Sequence, residues 1–367
     1  MKILYYFKEK DVMMDKWQRV HIFDELERHN CNITVFNPLE YTNIDEANEK
    51  LLENVKENKY DLFMTPHNHN DIYISSILDI KKNGVPTLLI CFDSLITHYK
   101  HKNIGKYFDL VMLSQIDREG FFRKYKCNTI ISPYAANPFA FTMKKSVEIN
   151  KINFAGTPYG TRINKLNILL KNDIELDLYG NVKSQLNTNK VNRTALIKGA
   201  LELSYHSVGR KVMMGALKQK FVKEKLLMLD NPNLTLNSSV NLQRINEIFS
   251  EYALSLSISE ARNTGVLKDP INIVHLRNFE IPMSGGLQIC SYFDELADHF
   301  EEDKEIIFYR NNEEFVEKSK FYLKPEQEKL RINMKIAARK RAENEHTWFC
   351  RFKKAFDILG LQNEYIE

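Results

Sequence analysis

No stretch of this chain approaches the roughly eighteen consecutive apolar residues that a bilayer span requires, and no basic-then-apolar leader opens it: Met1-Lys2 runs directly into the strand-like Ile3-Leu4-Tyr5-Tyr6-Phe7. The expectation is a chain that neither spans a membrane nor is exported. The five cysteines, Cys31, Cys91, Cys127, Cys290 and Cys350, contain no CxxC pair, which argues against a zinc ribbon, a redox dithiol and a disulfide scaffold, and for a reducing cytoplasm. There is no low-complexity tract and no repeat at a period of roughly 20 to 50 residues. No Asp-x-Asp metal motif stands at a strand end, and no glycine loop ends in the Lys-Ser/Thr of a P-loop. Charge of one sign is scarce too, and a net +4 gives little reason to expect a nucleic-acid partner.

What is present is an ordinary globular composition, 43% hydrophobic and 27% charged over 367 residues. At about 150 residues per domain this length predicts two domains. The charge is unevenly spread: Val191 to Asp230 holds eight Lys/Arg against three Asp/Glu, a surplus of five that exceeds the +4 of the whole chain. An anionic partner is therefore to be sought there.

Short apolar runs alternate with amphipathic ones. Lys2 to Phe7, Asn32 to Phe36, Asp61 to Thr65, Thr87 to Phe92, Asp109 to Leu113 and Thr129 to Ser132 read as buried strands, while Trp17 to Arg28 and Ile44 to Glu57 carry apolar residues at helical spacing. After a linker-like Ser132-Pro133-Tyr134-Ala135-Ala136-Asn137-Pro138, a second series offers strands at Ile152 to Gly156, Ile174 to Tyr179, Tyr252 to Ile258, Leu287 to Cys290 and Glu305 to Tyr309. Such alternation implies an α/β chain of two Rossmann-like halves with parallel sheets.

Parallel sheets bind ligands beyond the carboxyl ends of their strands, so the loops there carry the search. Gly156-Thr157-Pro158-Tyr159-Gly160-Thr161-Arg162 follows a strand and opens a helix, which offers backbone N–H groups and a guanidinium to a phosphate; a tight turn with a solvated arginine is the plainer reading. His275 to Cys290 places a short helix, kinked or cut short at Pro282, before Gly285-Gly286 and an apolar strand. Glu280 on that helix has the chemistry to accept bonds from ribose hydroxyls, or is simply a structural carboxylate.

Together these segments resemble the C-terminal half of the GT-B glycosyltransferases of the group 1 type, most closely the CgeB-like branch. The resemblance rests on Phe154-Ala155-Gly156 with Tyr159, Gly160 and Arg162, on Leu178-Tyr179-Gly180, on Arg277-x-x-Glu280-Ile-Pro-x-x-Gly285-Gly286, on Glu305 to Tyr309, and on His346-Thr347-Trp348 with Arg351. In the other half, Cys91-Phe92-Asp93-Ser94 and Tyr134-Ala135-Ala136-Asn137-Pro138-Phe139 are similar to the branch's aspartate loop and its PxAADPxxF segment. Three departures stand out. Asn272 occupies the place of the first of two spaced glutamates, Asn137 replaces the aspartate of the linker motif, and Lys8-Glu9-Lys10 follows the first strand instead of a glycine-rich loop.

The resemblance implies two Rossmann-like domains facing a cleft, with residues 1–145 on the acceptor side, 146–340 holding the donor and carrying a basic helical insertion at about 191–230, and 341–367 crossing back to the first domain. It implies a metal-independent glycosyltransferase, hexosyl-transferring, that takes a nucleotide diphosphate sugar as co-substrate with no cofactor and serves a glycan, lipid-linked or cell-envelope acceptor. Gly156, Tyr159, Gly160, Arg162, Arg277, Glu280, Gly285 and Gly286 are then the donor-binding residues. Arg162 and Arg277 also stabilise the leaving diphosphate, with Lys165 a third candidate. A base, if one is used, comes from His67 or His69 after one strand, or from Asp93 with His98 after another. No third ligand near the His-x-His pair suggests a metal. The basic stretch Ala195 to Leu229 reads as helices covering a core with a solvated lysine face, or as a peripheral contact with the inner face of a membrane. A catalytically silent glycan-binding or partner module and a non-hydrolysing nucleotide-sugar epimerase remain as alternatives.

Overall fold

The computed structural model describes residues 1–10, 13–94, 100–144, 146–182, 201, 204–222, 226–361 and 365. His98, Lys223, Lys225 and residues 195–200 of the basic stretch lie outside them. Contacts divide the chain into two units, Met1–Phe139 with His346–Glu367, and Ala140–Glu345.

In the first unit the strands are β1 (Lys2–Tyr6), β2 (Asn32–Phe36), β3 (Leu62–Thr65), β4 (Thr87–Cys91), β5 (Leu110–Leu113) and β6 (Thr129–Ile131). They form one parallel sheet in the order β2-β1-β3-β4-β5-β6, which reverses direction between β1 and β3. β3, β4 and β5 are buried at every residue, the mark of a parallel sheet covered on both faces. The helical spacing of Trp17 to Arg28 is realised in three pieces, because Arg19–Phe23 widens into a π turn between Met13–Gln18 and Asp24–Arg28.

The second unit contains β7 (Ile149–Ala155), β8 (Leu176–Tyr179), β9 (Leu234–Asn237), β10 (Tyr252–Leu256), β11 (Gln288–Ser291) and β12 (Ile307–Tyr309). They pair in parallel as β12-β11-β10-β7-β8-β9, so the winding reverses between β7 and β10. β9 is absent from the strands expected on sequence. It is a partly exposed edge strand whose Asn-Leu-Thr-Leu-Asn run carries too few apolar residues to stand out.

The unit boundaries fall elsewhere than composition suggested. Residues 140–144 go with the second unit because Thr142 N donates to Asn246 Oδ1 (2.9 Å), Lys144 N to Ser250 Oγ (3.1 Å) and Arg339 to the Phe141 carbonyl. Residues 341–345 do so because helix Glu328–Glu345 runs on unbroken.

The Pro-rich Ser132–Pro138 stretch is no free linker. Arg351 donates to the carbonyls of Pro133 (3.0 Å) and Tyr134 (3.4 Å), and Ala136 N donates to the His346 carbonyl (3.1 Å). Asn137 is buried with its amide donating to Val20 O (2.7 Å) and Asp24 Oδ2 (2.8 Å). An aspartate there would press a second carboxylate against Asp24, which accounts for the asparagine.

Glu25, also buried, accepts from the backbone N–H groups of Trp348 (3.1 Å) and Phe349 (2.8 Å) and so caps helix Trp348–Ile358. Those donors favour the carboxylate, yet burial outweighs them and pushes its pKa from the ordinary 4.5 up to about 7. An acid whose folded pKa is raised stabilises fully below its unfolded pKa, and that contribution disappears as pH climbs through the folded value. Stability in urea is therefore expected to fall between about pH 4.5 and 7 by this route, and Glu25→Gln to flatten the slope. An identical pH profile in the Gln variant would remove Glu25 from the account.

Candidate active site

Both sheets place candidate site residues at strand ends. In the second unit, β7 ends in Gly156 and helix Thr161–Lys171 starts at Gly160, whose φ is +53° and ψ −128°. A Cβ there would stand 1.9 Å from Asn263 Oδ1, so only glycine allows this entry. The helix has no side-chain cap and no acidic residue in its first turn; Arg162 N donates to the Tyr159 carbonyl (3.1 Å), and the dipole with the other first-turn N–H groups faces an anion favourably.

Arg162 lies in that first turn. Its Nη1 donates to the Thr157 carbonyl (3.2 Å) and its guanidinium packs 4.5 Å from the Tyr159 ring centroid. Nε is buried without a partner and no carboxylate pairs with the side chain among the described residues. Burial pulls the Arg162 pKa down from the usual guanidinium value, and the nearby charge of Arg277 pulls the same way. A partly buried cation that no carboxylate contacts carries part of the desolvation cost of a buried charge. An anionic ligand removes that cost.

Arg277 opens helix Arg277–Met283. Its Nε approaches the Ala155 carbonyl at 3.4 Å, which brings it to the end of β7, and Nη1 donates to Glu280. Glu280 is wholly buried one turn along and holds the guanidinium in place. The helix runs through Pro282 and stops at Gly285, whose φ of +72° is the left-handed end that glycine takes freely. His275 completes the cluster: its Nε2 donates to the Ile258 carbonyl (3.2 Å), and burial, then the charges of Arg162 and Arg277, push its pKa down to about 4. It is a neutral hydrogen-bonding ring at pH 7.

Of the residues singled out on sequence, Gly156, Tyr159, Gly160, Arg162 and Arg277 thus gather at the carboxyl edge of the sheet, with Glu280 one turn along the helix. Gly285 and Gly286 stand at the far end of that helix, ahead of β11, where a Cβ would meet Met143 and the Phe249 carbonyl, and are not brought to this edge. An apolar cavity of about 620 Å³, lined by Val182 and Leu226 to Pro232, shares no residue with this edge. The convergence of polar groups marks the site, and cavity volume does not.

In the first unit, His67 sits after β3 with both ring nitrogens engaged. Nε2 accepts from Lys8 N (2.8 Å) and Nδ1 faces Asp71 Oδ2 at 3.4 Å, so no lone pair points outward. Asp71 is held below the usual carboxylate range; its burial opposes this, but hydrogen bonds from His67 and Lys8 outweigh burial. The Nδ1 of His69 lies 3.4 Å from the Lys100 carbonyl. Asp93 is exposed, accepts from Tyr134 Oη (3.1 Å) and has φ +52°, a left-handed backbone unusual outside glycine. The residue that sequence reasoning missed is Glu260, buried beyond β10 and 3.9 Å from Lys165 Nζ. No local motif marks it.

Comparison with known proteins follows this geometry. Residues 195–357 match the family model described as glycosyl transferase-like. No curated protein matches the chain. Among solved structures, Anabaena Alr3699/HepE in complex with UDP-glucose is similar at a TM-score of 0.59 and 11% identity, over 98% of this chain and 99% of that one. Sucrose-phosphate synthase from Thermosynechococcus elongatus is similar at 0.57 and 10%, over 98% of both chains. An alpha-glucosyltransferase in complex with UDP and a 13-mer DNA is similar at 0.59 and 12%, over 98% of this chain and 99% of that one. The chain therefore has the two Rossmann-like units of the GT-B glycosyltransferase fold. Its glycosyl transferase-like segment includes Arg277, Glu280 and the helix capped by Glu25.

Proposed function

We propose that the protein is a nucleotide-sugar glycosyltransferase whose second unit binds the donor. The observation that carries this is Arg162, a partly buried guanidinium whose Nε lacks a partner and which no carboxylate contacts among the described residues, set in the uncapped first turn of helix Thr161–Lys171 beside Arg277. A diphosphate satisfies both arginines and the helix N-terminus at once. On departure of the sugar the same groups stabilise the growing charge, which is the work a metal does in other enzymes. Glu280 acts in donor binding chiefly by fixing Arg277. Solved structures of the same fold hold UDP or UDP-glucose, which supports this class of ligand.

The test is a panel of nucleotide sugars incubated with the protein while free nucleotide diphosphate is measured. Slow release from one donor is expected, and Glu280→Ala should weaken binding of that donor about ten- to a hundredfold by calorimetry. No release and no binding from any donor would leave a silent module of the same fold.

Asp93 is the proposed base if the acceptor needs one, since it is exposed whereas the lone pairs of His67 are occupied. For the acceptor we propose a lipid-linked or cell-envelope glycan, on the strength of helix Ser207–Gln219. Val208, Val212 and Gly215 face inward, while Arg210, Met214, Leu217 and Lys218 share the exposed side and Phe221, 86% exposed, follows. Apolar side chains set among cations suit an anionic lipid surface. Among the described residues no helix is long and apolar enough to cross a membrane, so such contact is peripheral. The parent should sediment with vesicles containing anionic lipid, and Leu217→Asp with Phe221→Asp should not. Equal sedimentation of both would dismiss the membrane contact.

A further inference from the structure

Beyond the arginines, the same sheet edge carries a second polar cluster of opposite character. The chain leaves β10 through Ser257, Ile258 and Ser259, and Ala261 N then donates to the Ile271 carbonyl (2.7 Å) while Ile273 N donates to that of Ser259 (3.0 Å). These bonds flank an antiparallel bridge between Glu260 and Asn272. In such a non-hydrogen-bonded pair the two side chains lie on one face at closest approach.

The Glu260 side chain is only 6% exposed, yet its Oε2 has no partner among the described residues. Asn272 Oδ1 is buried and unpartnered in the same way. Lys165, one turn along helix Thr161–Lys171 from Thr161, is the facing cation. It is held by Asn312 Oδ1 (3.2 Å) and lies 4.8 Å from the ring centroid of Tyr309 at the end of β12. Its Nζ stops 3.9 Å short of Glu260 Oε1, too far for a hydrogen bond. A buried carboxylate that its lysine does not reach is expensive to keep.

We infer that Glu260, Asn272 and Lys165 form a subsite for the hydroxyl groups of the sugar carried by the nucleotide. This rests on the donor reading given above. A hydroxyl both accepts and donates, so one placed between Lys165 and Glu260 accepts from Nζ and donates to the carboxylate, and a neighbouring hydroxyl donates to Asn272 Oδ1. A phosphate has only acceptors at this pH and would be repelled by Glu260. The two clusters on this edge therefore divide the donor: the arginines take its anionic part, and Glu260 with its neighbours takes its neutral polyhydroxyl part.

The experiment compares UDP-, GDP-, dTDP- and ADP-sugars with their parent diphosphates by calorimetry, and follows the pair that the parent protein binds. In Glu260→Gln, affinity for the sugar nucleotide should fall about ten- to a hundredfold while affinity for the diphosphate stays the same or rises, because a nearby negative charge is gone. Glu260→Asp keeps the charge but withdraws it by one methylene, and should show the same selective loss. Unchanged affinity for the sugar nucleotide in both variants overturns the subsite, as does a parallel loss of both ligands in both variants, which would make Glu260 structural. If the parent binds no diphosphate and no sugar nucleotide, the donor reading itself fails and the subsite with it.

Discussion

Alanine at position 162 should cut kcat about a hundred- to thousandfold and leave the free protein as stable as the parent or slightly more so. The first half follows from the place of Arg162 at the helix N-terminus: removing one preorganised donor to a developing oxyanion costs roughly 3 to 4 kcal/mol of transition-state stabilisation. The second half follows from the absence of a carboxylate in contact with it, for deleting a partly buried cation relieves part of a desolvation cost. Arg277 differs, because its removal takes a charged partner away from the wholly buried carboxylate of Glu280. Arg277→Ala should lose activity and melting temperature together. Lysine at 162 keeps the charge without the planar fork and should recover only part of the rate. Steady-state kinetics and thermal melts of the three variants decide it. A stable, fully active Arg162→Ala enzyme would move the phosphate site elsewhere, and an inactive but much less stable one would make Arg162 a structural residue.

The contrast between those arginines also shows what a sequence can and cannot carry. The strands of both sheets are apolar runs with turn residues at each end, so β1 to β8 and β10 to β12 stand out as local signals. β9 does not, since an edge strand needs few apolar side chains. Arg162 and Glu280 are legible because each lies beside glycines that mark a turn. What cannot be read locally is which polar groups meet. Glu280 precedes Gly285-Gly286 just as a ribose ligand should, and only the fold shows its carboxylate committed to Arg277. Sequence pattern sought a carboxylate at Asn272, while the structure sets one opposite it, at Glu260, through a backbone pairing that no spacing rule encodes. His67 gives the same lesson in reverse, because the Lys8 amide that occupies its Nε2 comes from the loop after β1.

The largest loss of stability is expected from Glu148→Ala. Glu148 stands just ahead of β7, and its carboxylate accepts from Arg331 Nε (2.9 Å) and from Lys335 Nζ (2.6 Å) on helix Glu328–Glu345. Both cations are buried and, among the described residues, otherwise bond only to backbone: Arg331 to the carbonyls of Tyr322 (2.6 Å) and Lys324 (3.1 Å), Lys335 to that of Tyr252 (2.7 Å). Removing the one anion strands two charges in the interior, a class of change that costs about 3 to 5 kcal/mol. Burial alone would raise the Glu148 pKa, but Arg331 and Lys335 outweigh it and hold the group below its ordinary value. An acid with a depressed folded pKa stabilises above its unfolded pKa and loses that contribution as pH falls through the folded one. The destabilisation should thus be full at pH 7 and shrink in acid, opposite in sign to the effect of Glu25. Urea unfolding of the parent and Glu148→Ala across this range measures it. Replacing Glu148, Arg331 and Lys335 together by Leu, Met and Leu should restore much of the loss, because the cost comes from the unpaired charges more than from the missing bonds. A drop below about 1 kcal/mol in the single variant would mean that water reaches these cations and that the pair behaves as a surface one.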